Sequence, residues 1–144
     1  MNTATEHAIQ WECKQMLARY YNHVDHGEFE EGAHIFAPDV EWRWREWVVN
    51  GRENMLKDLK SALTGVHIRH LITNTVIKVI DDDHATSLSY VTIYTHKNEC
   101  ADDGSAPYEG PDYINELHDK LVRLDDGWHI VQRHIKTAFE RKTA

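Results

Sequence analysis

Cysteine, positive charge and long apolar runs are what this chain has least of. Two cysteines, Cys13 and Cys100, among 144 residues do not make a disulfide framework, so a reducing cytoplasm is the expected setting. Lysine and arginine number 16 against 24 aspartates and glutamates, a formal net charge of −8. No basic cluster offsets that balance, and neither nucleic acid nor an anionic membrane is an expected partner. The longest apolar runs fall far short of a membrane span, and the opening MNTATEHAIQWE lacks the basic-then-apolar plan of a signal peptide. There is no glycine-rich phosphate loop, no serine in a nucleophile elbow, and no cysteine-rich or His-Glu-x-x-His pattern. His23 and His26, and His67 and His70, are each spaced by three, which suits ligation from a helix but puts strand residues on opposite faces. No metal is expected.

What the chain does have is enough apolar material for one domain spanning 1–144, with 41% hydrophobic and 28% charged residues. It also has eleven histidines, which direct attention to a site that moves protons. From Ala8 to Asp25 the residues Ile9, Cys13, Met16, Leu17, Tyr20, Tyr21 and Val24 recur at three and four, one stripe of a helix that Gly27 stops. A short second helix is expected over Phe29 to Phe36, closed by Ala37-Pro38-Asp39. VEWRWREWVV alternates Val40, Trp42 and Trp44 against Glu41, Arg43 and Arg45, the period of a half-buried strand. Asn50-Gly51 is a turn, and residues 52 to 63 form a third helix with Met55, Leu56, Leu59 and Leu63 inward.

Strands follow over 67–80, 85–97, 113–124 and from Trp128 onward, with Asp81-Asp82-Asp83 and Asp125-Asp126-Gly127 as turns and NECADDGSAPYEGP as a polar loop. Helices followed by an antiparallel meander define an α+β class. In the second long strand, parity puts Tyr90, Thr92, Tyr94 and His96 on one face, the candidate polar-aromatic lining of a pocket. One residue sits awkwardly. Asp25 occupies the last turn of the first helix, where the helix dipole disfavours an anion by a few tenths of a kcal/mol, roughly.

RYYNHVDHGEFEEGAHIFAPDVEW, NGRENM, IRHLITNTVIKV and LVRLDDGWHIVQR, in that order and spacing, resemble the SnoaL-like branch of the nuclear transport factor 2-like superfamily. The resemblance covers nearly the whole chain and implies a cone, in which a strongly bent antiparallel sheet wraps around the helices over a deep pocket. Within the family the chain looks most like scytalone dehydratase, bile-acid 7α-dehydratase and hexachlorocyclohexane dehydrochlorinase. Those enzymes use an Asp at the end of the first helix and a His on the first long strand of the meander, positions held here by Asp25 and His70. On this resemblance Asp25 orients His70, and His70 is the general base.

Tyr20 stands where the bile-acid enzyme has a tyrosine and the dehydrochlorinase a lysine, and it is a candidate donor to a substrate oxygen. His96 matches the second catalytic histidine of scytalone dehydratase. Trp42 falls where the family lines its pocket, and the family's late-strand arginine is matched by Arg123 or by Arg133. Two positions depart from scytalone dehydratase: Val24 replaces a tyrosine, and gapless counting puts Leu117 where that enzyme has an asparagine. The implied function is a cofactor-independent lyase, a dehydratase or related eliminase, acting on a small hydrophobic cyclic substrate, with Trp42, Tyr90, Tyr94 and Arg133 as binding residues. An isomerase, polyketide cyclase or epoxide hydrolase could use the same base. A non-catalytic ligand-binding or assembly subunit is the rival from a different class. The resemblance, with tryptophans to spare on one strand, also implies a homo-dimer or homo-trimer.

Overall fold

The computed structural model describes residues 1–143. Helix α1 (Thr3–Asp25) begins earlier than its apolar stripe because the Asn2 side chain caps it, accepting the Thr5 backbone N–H at 2.9 Å. Its buried residues are Ile9, Cys13, Met16, Leu17, Tyr20, Tyr21 and Val24, the stripe read from the spacing. Burial raises the Cys13 thiol to about 12, so this cysteine packs as a small apolar residue and is chemically inert.

The second helix is shorter than the sequence suggests. α2 covers Phe29–Ala33, and Phe36 instead opens strand β1 (Phe36–Trp44), fully buried. Gly32 lets α2 cross close to α1, since a Cβ there would fall 2.8 Å from Val24 Cγ1. Beyond that crossing the backbone is claimed by the sheet, with the Ile130 N–H donating to the Ile35 carbonyl at 2.9 Å. VEWRWREWVV is not one strand either. Arg45, at φ 56°, turns the chain with Glu46, and β2 (Trp47–Asn50) returns antiparallel along β1. α3 (Arg52–Leu63) follows as read, with Met55 and Leu59 buried and Leu56 and Leu63 packed against the core.

The remaining strands are β3 (His67–Val79), β4 (His84–His96), β5 (Tyr113–Leu124) and β6 (Gly127–Glu140). They form a six-stranded, unclosed sheet in the order β2-β1-β6-β5-β4-β3, antiparallel throughout except for β1 beside β6. Register shifts in several ladders add residues to one strand and bend the sheet. Pro38 sits in one of them, where its missing N–H costs no ladder bond. Another lies at Asn74, φ 54°, and reverses the parity of β3. Ile68, His70 and Ile72 turn toward the helices before it, and Thr75, Ile77 and Val79 after it. The core fills the concavity between α1, α3 and the sheet. No helix among the described residues is long and apolar enough to cross a membrane.

Candidate active site

The end of α1 fixes the first site residue. The Gly27 N–H bonds to the Val24 carbonyl and the Glu28 N–H reaches back to His23, the paired bonds of a Schellman cap. Gly27 takes φ 76°, a conformation that other residues adopt only with strain. This cap stops the helix one residue after Asp25 and leaves the carboxylate facing β3. There it is gripped twice by one residue: the His70 backbone N–H donates to Asp25 Oδ2 at 2.9 Å, and the His70 ring holds Oδ1 through Nδ1 at 2.6 Å. An ionised carboxylate can only accept, so Nδ1 carries the proton and Nε2 presents its lone pair. The Tyr21 ring stacks on the imidazole, centroids 4.5 Å apart, and fixes its plane.

His70, with Asp25 behind it, lines a cavity of about 360 Å³, a size typical of small-molecule pockets. Trp42, Trp44 and Trp47 come from the β1–β2 hairpin, Met55, Leu59 and Leu63 from α3, and Val91 and Ile93 from β4. Tyr20, Tyr21, Asn115 and Arg133 supply polar atoms. Burial raises the Tyr21 phenol to about 12 and moves the Tyr20 phenol up further. Both hydroxyls are therefore neutral near pH 7 and act as hydrogen-bond donors.

Arg133 is almost fully buried, with Asp119 opposite it on β5. Its Nε and Nη2 donate to the two Asp119 oxygens at 2.8 and 2.9 Å, and its Nη1 donates to the Tyr21 hydroxyl at 3.2 Å. Burial pulls the guanidinium pKa down, but the Asp119 carboxylate outweighs that and holds it above its ordinary value. The charge is matched inside the protein. Arg133 therefore acts on the cavity through Tyr21, whose O–H proton remains free to donate inward.

The sequence-derived residues divide in two. His70, Tyr20, Trp42 and Arg133 line the cavity, and Asp25 is bonded to His70 behind its wall. Tyr90, Tyr94 and His96 are not. The inward face of β4 carries Val91, Ile93 and Thr95, so all three lie on the opposite, outer face. Tyr90 is exposed, Tyr94 packs toward Tyr108, and His96 Nε2 pairs with the Glu99 carbonyl at 3.1 Å. ATSLSYVTIYTH misleads because the buried face includes Ser87 and Ser89, so neither parity reads as apolar. Arg123 is also out of reach, at the β5–β6 turn against the Asp82 carbonyl. Trp44 and Trp47 line the cavity beside Trp42, and Trp47 remains 43% exposed.

Sequence reading missed Tyr21, Asp119 and Asn115. A strand asparagine does face the cavity, Asn115, two residues before Leu117. Asn115 is buried and its Oδ1 has no hydrogen-bond partner. Such an orphan acceptor beside a cavity suits a ligand's donor group.

A curved sheet wrapped around helices is the cystatin-like architecture. The chain belongs to the SnoaL-like domain family, whose model matches residues 5–134. Among solved structures it is similar to a Novosphingobium aromaticivorans protein carrying the provisional name scytalone dehydratase (TM-score 0.85, 21% identity, 99% of this chain and 93% of that one). It is also similar to ActVI-ORFA of Streptomyces coelicolor (TM-score 0.72, 21% identity, 90% and 97%). A third is a Catenulispora acidiphila protein solved in complex with S-DNPA (TM-score 0.73, 27% identity, 90% and 93%). No curated protein sequence matches the chain.

Proposed function

We propose that this protein is a cofactor-independent lyase of the dehydratase type, acting on a small hydrophobic cyclic substrate with Asp25 and His70 as its general-base dyad. The observation that carries this reading is the 2.6 Å bond from His70 Nδ1 to Asp25 Oδ1. His70 lines the cavity and Asp25 backs it, with side-chain exposures of only 10% and 4%. The dipole-disfavoured acid at the helix end is then explained, since the local penalty is small beside a proton-transfer contribution of about 10²–10⁴-fold.

His70 Nε2 takes a proton from the carbon next to an activating carbonyl, and Asp25 stabilises the imidazolium that forms. The electron pair released forms the new double bond as the carbon–oxygen bond breaks. The leaving oxygen takes a proton from the imidazolium or from the Tyr20 or Tyr21 phenol, and departs as water. The Asn115 amide and the indoles hold the ring in place. Asp119 matches Arg133, so that buried guanidinium is not a free cation for a substrate anion; Lys97, exposed, is the other lysine or arginine on the lining. The dehydratase name borne by the Novosphingobium neighbour and the small-molecule complex of the Catenulispora neighbour point the same way.

The test is incubation of the purified protein with a panel of cyclic β-hydroxy ketones, followed by product mass and conjugated-enone absorbance. Loss of one water, abolished in His70→Ala, supports the lyase. An unchanged mass identifies an isomerase or cyclase, and gain of water from an epoxide identifies a hydrolase. Tight binding without turnover of any panel member identifies a binding subunit. We also propose a homo-dimer or homo-trimer through the outer sheet face, where Leu71, Val76, Leu88 and Tyr90 are exposed. A monomer in sedimentation at micromolar concentration would contradict it.

A further inference from the structure

A second cavity, about 400 Å³, lies on the other side of α1, among Trp11, Met16, Tyr20, Ile35, Trp128 and the β5–β6 turn. At its edge stand three side chains unused by the chemistry above: His34 at the end of α2, Asp126 in the turn, and His129 on β6. The Asp126 carboxylate is shared. Oδ2 lies 3.0 Å from His34 Nε2, and Oδ1 lies 2.6 Å from His129 Nε2. His129 Nδ1 faces the His34 and Ile35 carbonyls at 3.0 and 3.2 Å.

Those carbonyls can only accept, so His129 Nδ1 carries a proton and a neutral ring has none on Nε2. The closest partner of Nε2 is a carboxylate oxygen, which also only accepts. A contact of 2.6 Å is closed by a hydrogen between the two atoms, and a divalent ion would take the place of that hydrogen and widen the gap. A ring whose far nitrogen is tied to backbone carbonyl is the arrangement that orients histidine toward metals. The donor atoms of all three residues lie within 4.8 Å of one another, and a tetrahedral ion with bonds of about 2.1 Å separates its ligands by roughly 3.4 Å. The exposed His34 and Asp126 side chains would open their 3.0 and 2.6 Å contacts toward that spacing, while His129 is fixed by burial.

We propose that His34, Asp126 and His129 bind a divalent transition-metal ion of the zinc class, clamping the α2–β1 junction to the β5–β6 hairpin. Two imidazoles and one carboxylate suit zinc, cobalt or nickel better than calcium or magnesium, which prefer all-oxygen shells. Three protein ligands leave a fourth position open toward the second cavity, for water or a small anion. This site is separate from the Asp25–His70 dyad and stands or falls independently of it.

The test uses the full chain, freed of metal and free of affinity tags, titrated with zinc in calorimetry and with cobalt in visible absorption. Expected are one equivalent of tight zinc binding, a tetrahedral cobalt spectrum, and a melting temperature raised by about 5 °C or more at a hundredfold excess over Kd. His34→Ala is the informative variant, because its side chain is exposed and its backbone carbonyl still holds His129. It should abolish the cobalt spectrum and weaken zinc by tenfold or more while the metal-free protein melts as before. His84→Ala, which removes another exposed histidine–aspartate pair, should change nothing. Binding that survives His34→Ala, or no binding at all by the wild-type protein, overturns the proposal.

Discussion

The chain pairs a histidine with an aspartate at 2.6 Å in two places, Asp25 with His70 and Asp126 with His129, and the two pairs suit opposite tasks. At His70 the carboxylate takes Nδ1, so Nε2 stays available in an apolar hollow. At His129 the carboxylate meets Nε2, and Nδ1 is already spent on backbone carbonyls. A base needs one free nitrogen, and only His70 has one. Identity of residues and distance is thus no guide to role; the ring nitrogen that faces the acid is.

The sharpest way to break that contrast is His70→Ala, which should lower kcat by about 10²-fold or more while far-ultraviolet dichroism stays unchanged. His129→Ala should do the reverse. Stripping the buried donor from the His34 and Ile35 carbonyls should cost about 1–3 kcal/mol in urea unfolding, with kcat preserved below the melting transition. Next in size is Tyr21→Phe, which deletes the phenol donor held by Arg133. Turnover should fall about tenfold to a hundredfold with little change in KM. The smallest effect belongs to His96→Ala, whose ring lies on the outer face of β4. Both kcat and melting temperature should remain at wild-type values.

Much of the fold was legible because its signals are periodic. The α1 stripe, the limits of α3 and the run of long strands follow from spacing and turn residues alone. Asp25 and His70 were singled out through the family resemblance. The match was simple because one closes a helix and the other precedes the bulge in its strand, so neither depends on counting across an irregularity. What could not be read lies beyond such irregularities. The left-handed Asn74 reverses the parity of β3, and Asn115 lies two residues from the position counted. β4 misled differently, since Ser87 and Ser89 give its buried face a polar look. Asp119 was invisible because its meaning lies wholly in its cross-strand partner Arg133, and Tyr21 because an aromatic on a core stripe looks like any other until its ring is seen against His70. The Asp126 cluster joins residues 34, 126 and 129, far apart in sequence and close only in the folded chain.

The proposed chemistry rests on the Asp25 carboxylate supporting His70 as a base. The most direct measurement is kcat of Asp25→Asn, of His70→Ala and of the double variant, on whichever substrate the panel identifies. Asparagine keeps the shape and at least one of the two bonds to His70, so the fold should persist while the charge that stabilises the imidazolium is gone. Asp25→Asn should then lose about 10²-fold or more in kcat, and the double variant should be little worse than the poorer single one, as for residues that act as one unit. Near-wild-type turnover by Asp25→Asn would contradict the claim, and would leave Asp25 as a helix-end residue that happens to touch a histidine.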